Sequence, residues 1–300
     1  MKHWIYLPLQ ALLYLIALMP FWLLYRVADL IYFFVYYIVR YRVKIVRKNI
    51  KNSFPQLSDK ERLKIEREFY RNFSDYIAET IKLAHISDEQ IKKRMVFNNI
   101  ELLDELVDKN RSVVAYFSHC FNWEWVTSIT LWCRHKIGEQ VEFCQVYRPL
   151  RNEWSDSYML KLRSRFNSLS FKKKTVLRDL IMLRRRGVPS ITGFMSDQKP
   201  SHGDTLHIVE FLNHPSAVIT GTEQVARKLD MAAVYFDMKK PRRGRYEVNI
   251  KLMAEDSSAT QEMELTDTYI KHLEETIKNN PSIWLWTHNR WKHKVEMPNE

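Results

Sequence analysis

Glycine is scarce in this chain, which has only 6 glycines among its 300 residues. Loops that wrap around nucleotide phosphates depend on clustered glycines, and neither the G-x-G-x-x-G pattern nor the P-loop pattern occurs. The sequence therefore argues against a nucleotide-binding protein.

Cysteine is also rare, and its three residues are Cys120, Cys133 and Cys144. An odd number this small does not make a disulfide framework, and the spacings match no zinc finger or zinc ribbon. We interpret all three as ordinary half-buried thiols and predict no metal site. Cys120 lies next to a histidine, but adjacent residues of an extended strand point to opposite faces, which disfavours a cysteine–histidine nucleophile.

Charged residues are absent between Ile5 and Tyr25. A helix of this length reaches about 30 Å, the thickness of the hydrocarbon core of a bilayer. Two prolines and a glutamine interrupt the segment, and a second apolar block follows at residues 30–39, so a single span and a hairpin or interfacial arrangement are both compatible with it. No small-x-small cleavage site follows, which favours a retained anchor over a cleaved signal peptide.

Acidic residues are missing from the segment after these apolar blocks. Its basic residues are Arg40, Arg42, Lys44, Arg47, Lys48 and Lys51. Such a cluster is typical of the cytoplasmic side of a membrane and would contact anionic lipid headgroups. The net charge of +12 would suit an anionic membrane surface, an acidic carrier protein or nucleic acid as a partner. Because the chain carries a membrane anchor, we expect the first two partners and no nucleic acid.

Helical and strand-like segments alternate through the rest of the chain. Ser58 and Glu61 form a capping box for a helix over residues 59–83. Further helices are predicted at 99–108, 123–133, 154–166, 176–186, 221–229 and 266–279, and strands at 113–117, 141–147, 188–194, 232–237 and 246–253. The pattern predicts an α/β fold with a mostly parallel central sheet and helices on both faces, preceded by an N-terminal membrane-anchoring helix or hairpin. We divide the chain into an anchor with a basic juxtamembrane segment, residues 1–45, and one domain, residues 46–300.

His119 directly follows the apolar strand at 113–117, and Glu124 follows it five positions later. Parallel sheets present reactive groups at the carboxyl ends of their strands. Residues five apart diverge on a regular helix, so these two can meet only if the chain turns, with Asn122 capping a helix that begins near Trp123. Glu124 would then hold one imidazole nitrogen and leave the other as a general base for a hydroxyl. A hydrogen-bonded structural histidine is the alternative.

Polar residues also follow the next two predicted strands. Arg148 follows the strand at 141–147, while Asp197 and Gln198 follow the strand at 188–194. We expect them at the same sheet edge as the histidine. An arginine offers donors to a phosphate or a developing oxyanion, and Asp197 could orient it or a catalytic partner. A surface arginine and a turn aspartate are the alternative interpretation.

Seven segments occur in an order that covers most of the chain. They are Arg47-Lys-Asn-Ile50, Ser53-Phe-Pro55, His119-Cys-Phe-Asn-Trp-Glu124, Arg148-Pro149, Ser196-Asp-Gln198, Phe211-Leu-Asn-His-Pro215 and Trp284-Leu-Trp-Thr-His-Asn-Arg-Trp-Lys292. The series resembles the lysophospholipid acyltransferase superfamily, and within it the late acyltransferases of lipid A biosynthesis. The ordered set is specific, whereas the His-x4-Glu pattern alone would not be.

The resemblance implies transfer of a fatty acyl chain from acyl carrier protein, or less often coenzyme A, to a hydroxyl of a membrane glycolipid. The reaction would take place on the cytoplasmic side of the inner membrane, with no cofactor beyond the acyl donor and no covalent acyl-enzyme. In that scheme His119 is the general base and Glu124 holds it. The candidate substrate-binding residues are Arg148, Asp197, Gln198 and Asn122. Basic clusters at 184–186 and 242–245 would dock the carrier protein or simply be solvated.

Two departures from the family pattern concern the substrate. Phe121 stands where the family usually has glycine, and Phe-Leu-Asn at 211–213 replaces the more usual double phenylalanine and glycine. The acceptor could therefore be a lysophospholipid or an amino-acid lipid. Two other classes stay open: a metal-dependent hydrolase that adds Asp197, His202 or His207 to the pair, and a non-catalytic membrane adaptor that binds lipid or carrier protein.

Overall fold

In the computed structural model, which describes residues 3–201, 207–292 and 295–297, the amino-terminal apolar segment forms two helices. Helix α1 spans Leu7–Leu18 and helix α2 spans Phe21–Tyr32. Pro20 lies at the N-cap of α2, where it lacks an amide hydrogen to continue α1 and favours extended backbone at the preceding residue. Residues 5–25 therefore do not form one continuous helix.

Helix α2 continues into a π-helical turn, Phe33–Ile38. Together, Phe21–Ile38 form an 18-residue stretch with a mean hydropathy of 1.4, of which only 17% is buried. Within the described ranges this is the one helix long and apolar enough to cross a membrane. By length and composition it is the candidate membrane helix.

Nine strands form two sheets in the described part of the chain. They are β1 (Met95–Asn98), β2 (Val113–Phe117), β3 (Glu142–Tyr147), β4 (Leu169–Lys172), β5 (Ser190–Met195), β6 (His207–Glu210), β7 (Pro215–Val218), β8 (Ala232–Arg242) and β9 (Arg245–Ala254). The main sheet has the order β1-β9-β8-β2-β5-β3-β4, and β6 and β7 form a separate antiparallel ribbon. All neighbouring pairs of the main sheet are parallel except β8 and β9. The predicted mostly parallel sheet is confirmed.

Strand β2 lies at the centre of this sheet and is buried along its whole length. Val113 pairs with Ile191 of β5 on one side and with Ala232 of β8 on the other. Strand β3 pairs in parallel with the far side of β5. The carboxyl ends of β2, β5 and β3 therefore lie side by side at one edge, as the sequence predicts.

The remaining helices are α3 (Val43–Ser53), α4 (Asp59–Lys82), α5 (Asp88–Lys92), α6 (Glu101–Asp108), α7 (Glu153–Arg163), α8 (Val176–Arg185), α9 (Gly221–Lys228) and α10 (Glu264–Asn279). Six of them lie where the sequence patterns predict a helix, whereas α3 and α5 were not predicted. The capping box of Ser58 and Glu61 is present at the start of α4. The predicted helix at 123–133 is instead a buried 3-10 helix, Trp123–Leu131.

Candidate active site

His119 lies just after β2 and is held by the carboxylate of Asp197, which follows β5. His119 Nδ1 is 2.7 Å from Asp197 Oδ1, and the His119 backbone amide donates to Asp197 Oδ2 at 3.0 Å. Because β2 and β5 are hydrogen-bonded neighbours, their carboxyl ends deliver both residues to the same point.

Asp197 is almost completely buried and accepts hydrogen bonds from two elements. Trp284 Nε1 donates to its Oδ2 at 2.8 Å, in addition to the bonds from His119. Burial alone would raise the pKa of Asp197, but the charge and hydrogen bonds of His119 and the bond from Trp284 outweigh it and lower that pKa to about 2. Asp197 is therefore ionised at neutral pH.

The second imidazole nitrogen of His119 faces away from Asp197. It lies 3.3 Å from Nε2 of Gln198, and the His119 side chain is 16% exposed. When Nδ1 carries the proton and donates to Asp197, Nε2 carries the lone pair. A hydroxyl that reaches this surface beside Gln198 can donate its proton to Nε2.

Glu124 does not hold His119. Arg163 grips the Glu124 carboxylate with Nε at 2.8 Å and Nη2 at 2.6 Å, and Trp123 Nε1 donates to it at 3.1 Å. The prediction that Glu124 orients the imidazole is wrong, because Asp197 occupies that position. The Glu124 carboxylate instead accepts a hydrogen bond from the indole of Trp123. That indole packs edge-on against the His119 ring, with 5.1 Å between ring centroids.

Asn122 caps the 3-10 helix, as predicted, because its Oδ1 accepts from the Glu124 amide at 3.1 Å. Its Nδ2 donates to Glu79 Oε2 at 3.1 Å, and the residue is completely buried. With both ends of its amide occupied inside the protein, Asn122 is not available for the predicted contact with substrate. It shapes the loop that carries His119 and Trp123.

Glu79 of α4 joins this loop to the candidate membrane helix. Its carboxylate accepts from Tyr25 of α2 at 2.9 Å and from Tyr246 of β9 at 2.7 Å, as well as from Asn122. Complete burial raises the pKa of Glu79. One turn earlier, Asp75 is paired with cations from the β8–β9 hairpin. A buried polar network therefore lies behind the loop.

Arg148 follows β3 at the same sheet edge as His119 and Asp197. Its side chain is exposed, and it makes no hydrogen bond or ion pair with another residue in the described ranges. Arg148 therefore lies at the predicted edge of the sheet, but it makes no direct contact with the His119–Asp197 pair.

The carboxyl-terminal segment completes the site, a role that the sequence patterns did not assign to it. Arg290 is 4% exposed, and its Nη1 donates to the Asp197 carbonyl at 2.7 Å. Burial lowers the pKa of Arg290 to about 10, so it remains charged at neutral pH. Asn49 of α3 donates to the carbonyls of Trp286 and His288. The first and last of the seven segments therefore contact each other. Because both belong to the same ordered series of motifs, that series was the one sequence feature that could have indicated a role for the carboxyl-terminal segment in the site.

Aromatic packing explains the departure at position 121. Phe121 is completely buried, and its ring packs against those of Phe69, Tyr76 and Trp123. Neighbouring Cys120 is also completely buried, and burial raises the pKa of its thiol. A buried thiol with a raised pKa is a poor nucleophile, which agrees with the sequence interpretation.

A narrow apolar cavity adjoins the His119 loop. It is lined by one face of β2, β3 and β5 and by the 3-10 helix, including Phe117, Trp123 and Gly193, and its volume is about 40 Å³. The Phe117 ring packs closely against Gly193, since a Cβ placed on Gly193 would lie 2.8 Å from Phe117 Cε1. Trp123 contributes both to this cavity and to the edge-on contact with His119.

Metal-ligating side chains do not cluster in the residues that the structure describes: no group of three or more His, Cys, Asp or Glu could hold an ion. His202, which the hydrolase alternative invokes, lies outside the described residues. His207 instead forms a hydrogen bond with Asp267, with 2.6 Å between His207 Nε2 and Asp267 Oδ1.

The histidine–aspartate pair lies at the carboxyl edge of a mostly parallel sheet, which is where enzymes with such sheets bind their ligands. An apolar cavity adjoins its loop, and the chain also carries an exposed apolar helix. A family model described as bacterial lipid A biosynthesis acyltransferase matches residues 1–293. The chain belongs to this family and is an O-acyltransferase. The resemblance stated from the sequence motifs is confirmed.

Two curated relatives match over most of their length. The chain is 23% identical over 296 residues to the lipid A biosynthesis lauroyltransferase of Escherichia coli K12, covering 98% of this chain and 94% of the relative. It is 24% identical over 252 residues to the lipid A biosynthesis palmitoleoyltransferase of the same organism, covering 84% and 79%.

Proposed function

We propose that this protein transfers a fatty acyl chain from acyl carrier protein, or alternatively from coenzyme A, to a hydroxyl of a lipid A precursor, with His119 as the general base. The observation that carries the proposal is the 2.7 Å hydrogen bond between His119 Nδ1 and Asp197. It leaves the other ring nitrogen, Nε2, free to face the partly exposed side of the histidine. A lipid A precursor is proposed as the acceptor because the names of both relatives place them in lipid A biosynthesis.

The reaction follows from this arrangement. The acceptor oxygen attacks the thioester carbonyl while its proton passes to His119 Nε2, and the ionised Asp197 stabilises the imidazolium that forms. The tetrahedral intermediate then collapses, the thiolate leaves, and the imidazolium returns a proton to the sulfur. A thioester is already activated, so the scheme needs neither an acyl-enzyme nor a cofactor.

Arg148 and Gln198 are the proposed substrate contacts. Gln198 presents its amide beside His119 Nε2, where the acceptor hydroxyl must approach. Arg148 lies on the same edge without a protein partner in the described ranges, so its guanidinium can bind a phosphate or the carbonyl oxygen.

Membrane and carrier contacts complete the proposal. The candidate membrane helix would place the domain on the inner membrane, and the basic residues that follow it would face anionic headgroups on the cytoplasmic side. The exposed arginines at the end of α8 offer a surface for an acidic carrier protein.

The defining experiment is acyl transfer by the full chain in detergent. Labelled acyl carrier protein and acyl coenzyme A are each offered to lipid A precursors, lysophospholipids and lyso-amino-acid lipids, with the His119→Ala variant in parallel. Transfer to a lipid A precursor that requires His119 supports the proposal. Selective transfer to another acceptor, or none by folded protein, contradicts it.

Glu124 and Arg163 are proposed to position Trp123 rather than to move protons. Replacing Arg163 with lysine removes the bidentate interaction with Glu124. We therefore expect kcat to fall about tenfold while the pH–rate profile keeps its shape. Glu124→Gln should do the same, and the double variant should be no worse than either single variant. A shifted acidic limb in Glu124→Gln would instead place this carboxylate on the catalytic histidine.

The cavity beside Trp123 is proposed to receive only the end of the acyl tail, because its volume of about 40 Å³ is far too small for a whole acyl chain. Gly193→Ala pushes a methyl group against the Phe117 ring, so we expect a shift of about tenfold in kcat/KM towards shorter donors. Phe117→Leu should favour longer donors. Product chain lengths measured by mass spectrometry test both, and unchanged profiles in both variants would place the tail elsewhere.

A further inference from the structure

A second and larger cavity lies between α1 and α7, with a volume of about 840 Å³. Its described lining includes no residue of the His119–Asp197 site. The walls combine aromatic and apolar side chains with cations: Leu13, Tyr14, Trp154, Tyr158, Lys161 and Arg165. This size and mixture suit an amphiphile with a negatively charged head.

Ring contacts hold both ends of the cavity. Tyr6 stacks on Trp154 with ring centroids 4.8 Å apart, and its hydroxyl accepts from Asn152 at 3.0 Å. Eight residues further along, Tyr14 contacts the ring of His85 in the turn after α4. The two contacts are about 12 Å apart along α1. The cavity is therefore a formed groove between two helices.

Charge is concentrated at the Tyr14 end. Lys161 and Arg165 line the cavity four residues apart, and none of the described lining residues is acidic. Lys161 is exposed and has no ion-pair partner in the described ranges. Arg165 donates to the Ala84 and Ile86 carbonyls, which fix its guanidinium in place, with the nearest carboxylate, that of Asp88, 3.8 Å away.

The opposite side of α1 faces outward with apolar side chains, since Leu12 and Leu15 are more than half exposed. A lipid from the surrounding bilayer can therefore enter the groove along α1, with its acyl chain against Trp154 and Tyr158 and its phosphate near the two cations. We propose that this cavity binds one anionic phospholipid, which would secure α1 against the domain.

Bromine atoms on a lipid chain quench tryptophan fluorescence at contact distance, and Trp154 lies in the cavity wall. The full chain in dodecyl maltoside is titrated with chain-brominated phosphatidylglycerol, chain-brominated phosphatidylcholine and inorganic phosphate. We expect saturable quenching by phosphatidylglycerol at a concentration about tenfold below that for phosphatidylcholine. The Trp154→Phe variant should lose that component.

Lys161→Gln should weaken the binding of phosphatidylglycerol about fivefold and leave phosphatidylcholine unchanged. Lys228→Gln is the matched control, since it makes the same change at an exposed lysine of α9 that does not line the cavity. Ser157→Phe, which narrows the cavity, keeps its charges and adds no tryptophan, should weaken the binding of both lipids. Equal binding of both lipids, competition by inorganic phosphate, or an unaltered Ser157→Phe titration would each overturn the proposal.

Discussion

The His119→Ala variant is expected to transfer acyl chains about 10²- to 10⁴-fold more slowly than the unmodified protein, the range that a positioned general base contributes. The loss should fall on kcat, because the ring touches the reacting proton and little else of the substrate. Initial rates with saturating donor and acceptor measure it. Partial recovery by added imidazole would show that the missing function is a base.

A matched control is available elsewhere in the chain. His135 is also paired with carboxylates, with its Nε2 3.3 Å from Asp108 and 3.8 Å from Asp104, so His135→Ala removes a comparable pair away from the site. That variant should keep its activity. If His119→Ala folds and retains full rate, the acceptor hydroxyl is deprotonated by another group.

The Asp197→Asn variant is expected to be about 10³-fold slower, with the loss in kcat. An amide carries no negative charge, so it cannot stabilise the imidazolium that forms when His119 accepts the proton. Initial rates with saturating donor and acceptor measure the loss. Asp179→Asn on α8 is the control and should behave like the unmodified protein. Full activity in folded Asp197→Asn protein would remove Asp197 from the proton-transfer unit.

The pKa of Asp197 also sets where acid destabilises the fold. It is about 2 in the folded protein and about 3.9 in an unfolded chain, so the ionised carboxylate stabilises the folded state fully above about pH 4. That stabilisation is lost as the pH falls towards 2. Activity changes above pH 4 therefore cannot come from protonation of Asp197, and unfolding curves between pH 2 and pH 5 should lose this dependence in Asp197→Asn.

Local patterns predicted the parts of the fold that depend on local physics. The buried run of β2 and the capping box of α4 each follow from a few adjacent residues, and both are present. The short strand β4 was missed because four residues carry too little alternation to separate a strand from a loop. Pro20 was noted as an interruption, yet only the structure shows that it ends one helix and begins another.

The site shows the same division. Strand order brought His119 and Asp197 to one edge, but the sequence could not decide which carboxylate reaches the imidazole. Glu124 is five positions from His119 and Asp197 is 78 positions away, and chain distance favoured the wrong one. The competing partner, Arg163, lies in a helix whose direction is set by packing, so the charge it neutralises could not be read from spacing.

The hydrogen bond from Tyr25 to Glu79 changes how the amino-terminal helices should be regarded. The candidate membrane helix is not merely attached to the domain, because Tyr25 and Asn122 of the His119 loop donate to the same buried carboxylate. Removing the chain before α3 would leave Glu79 without one of its donors and expose the surface of α4 on which α2 packs. Packing of the amino-terminal helices and the conformation of the His119 loop are therefore coupled through Glu79.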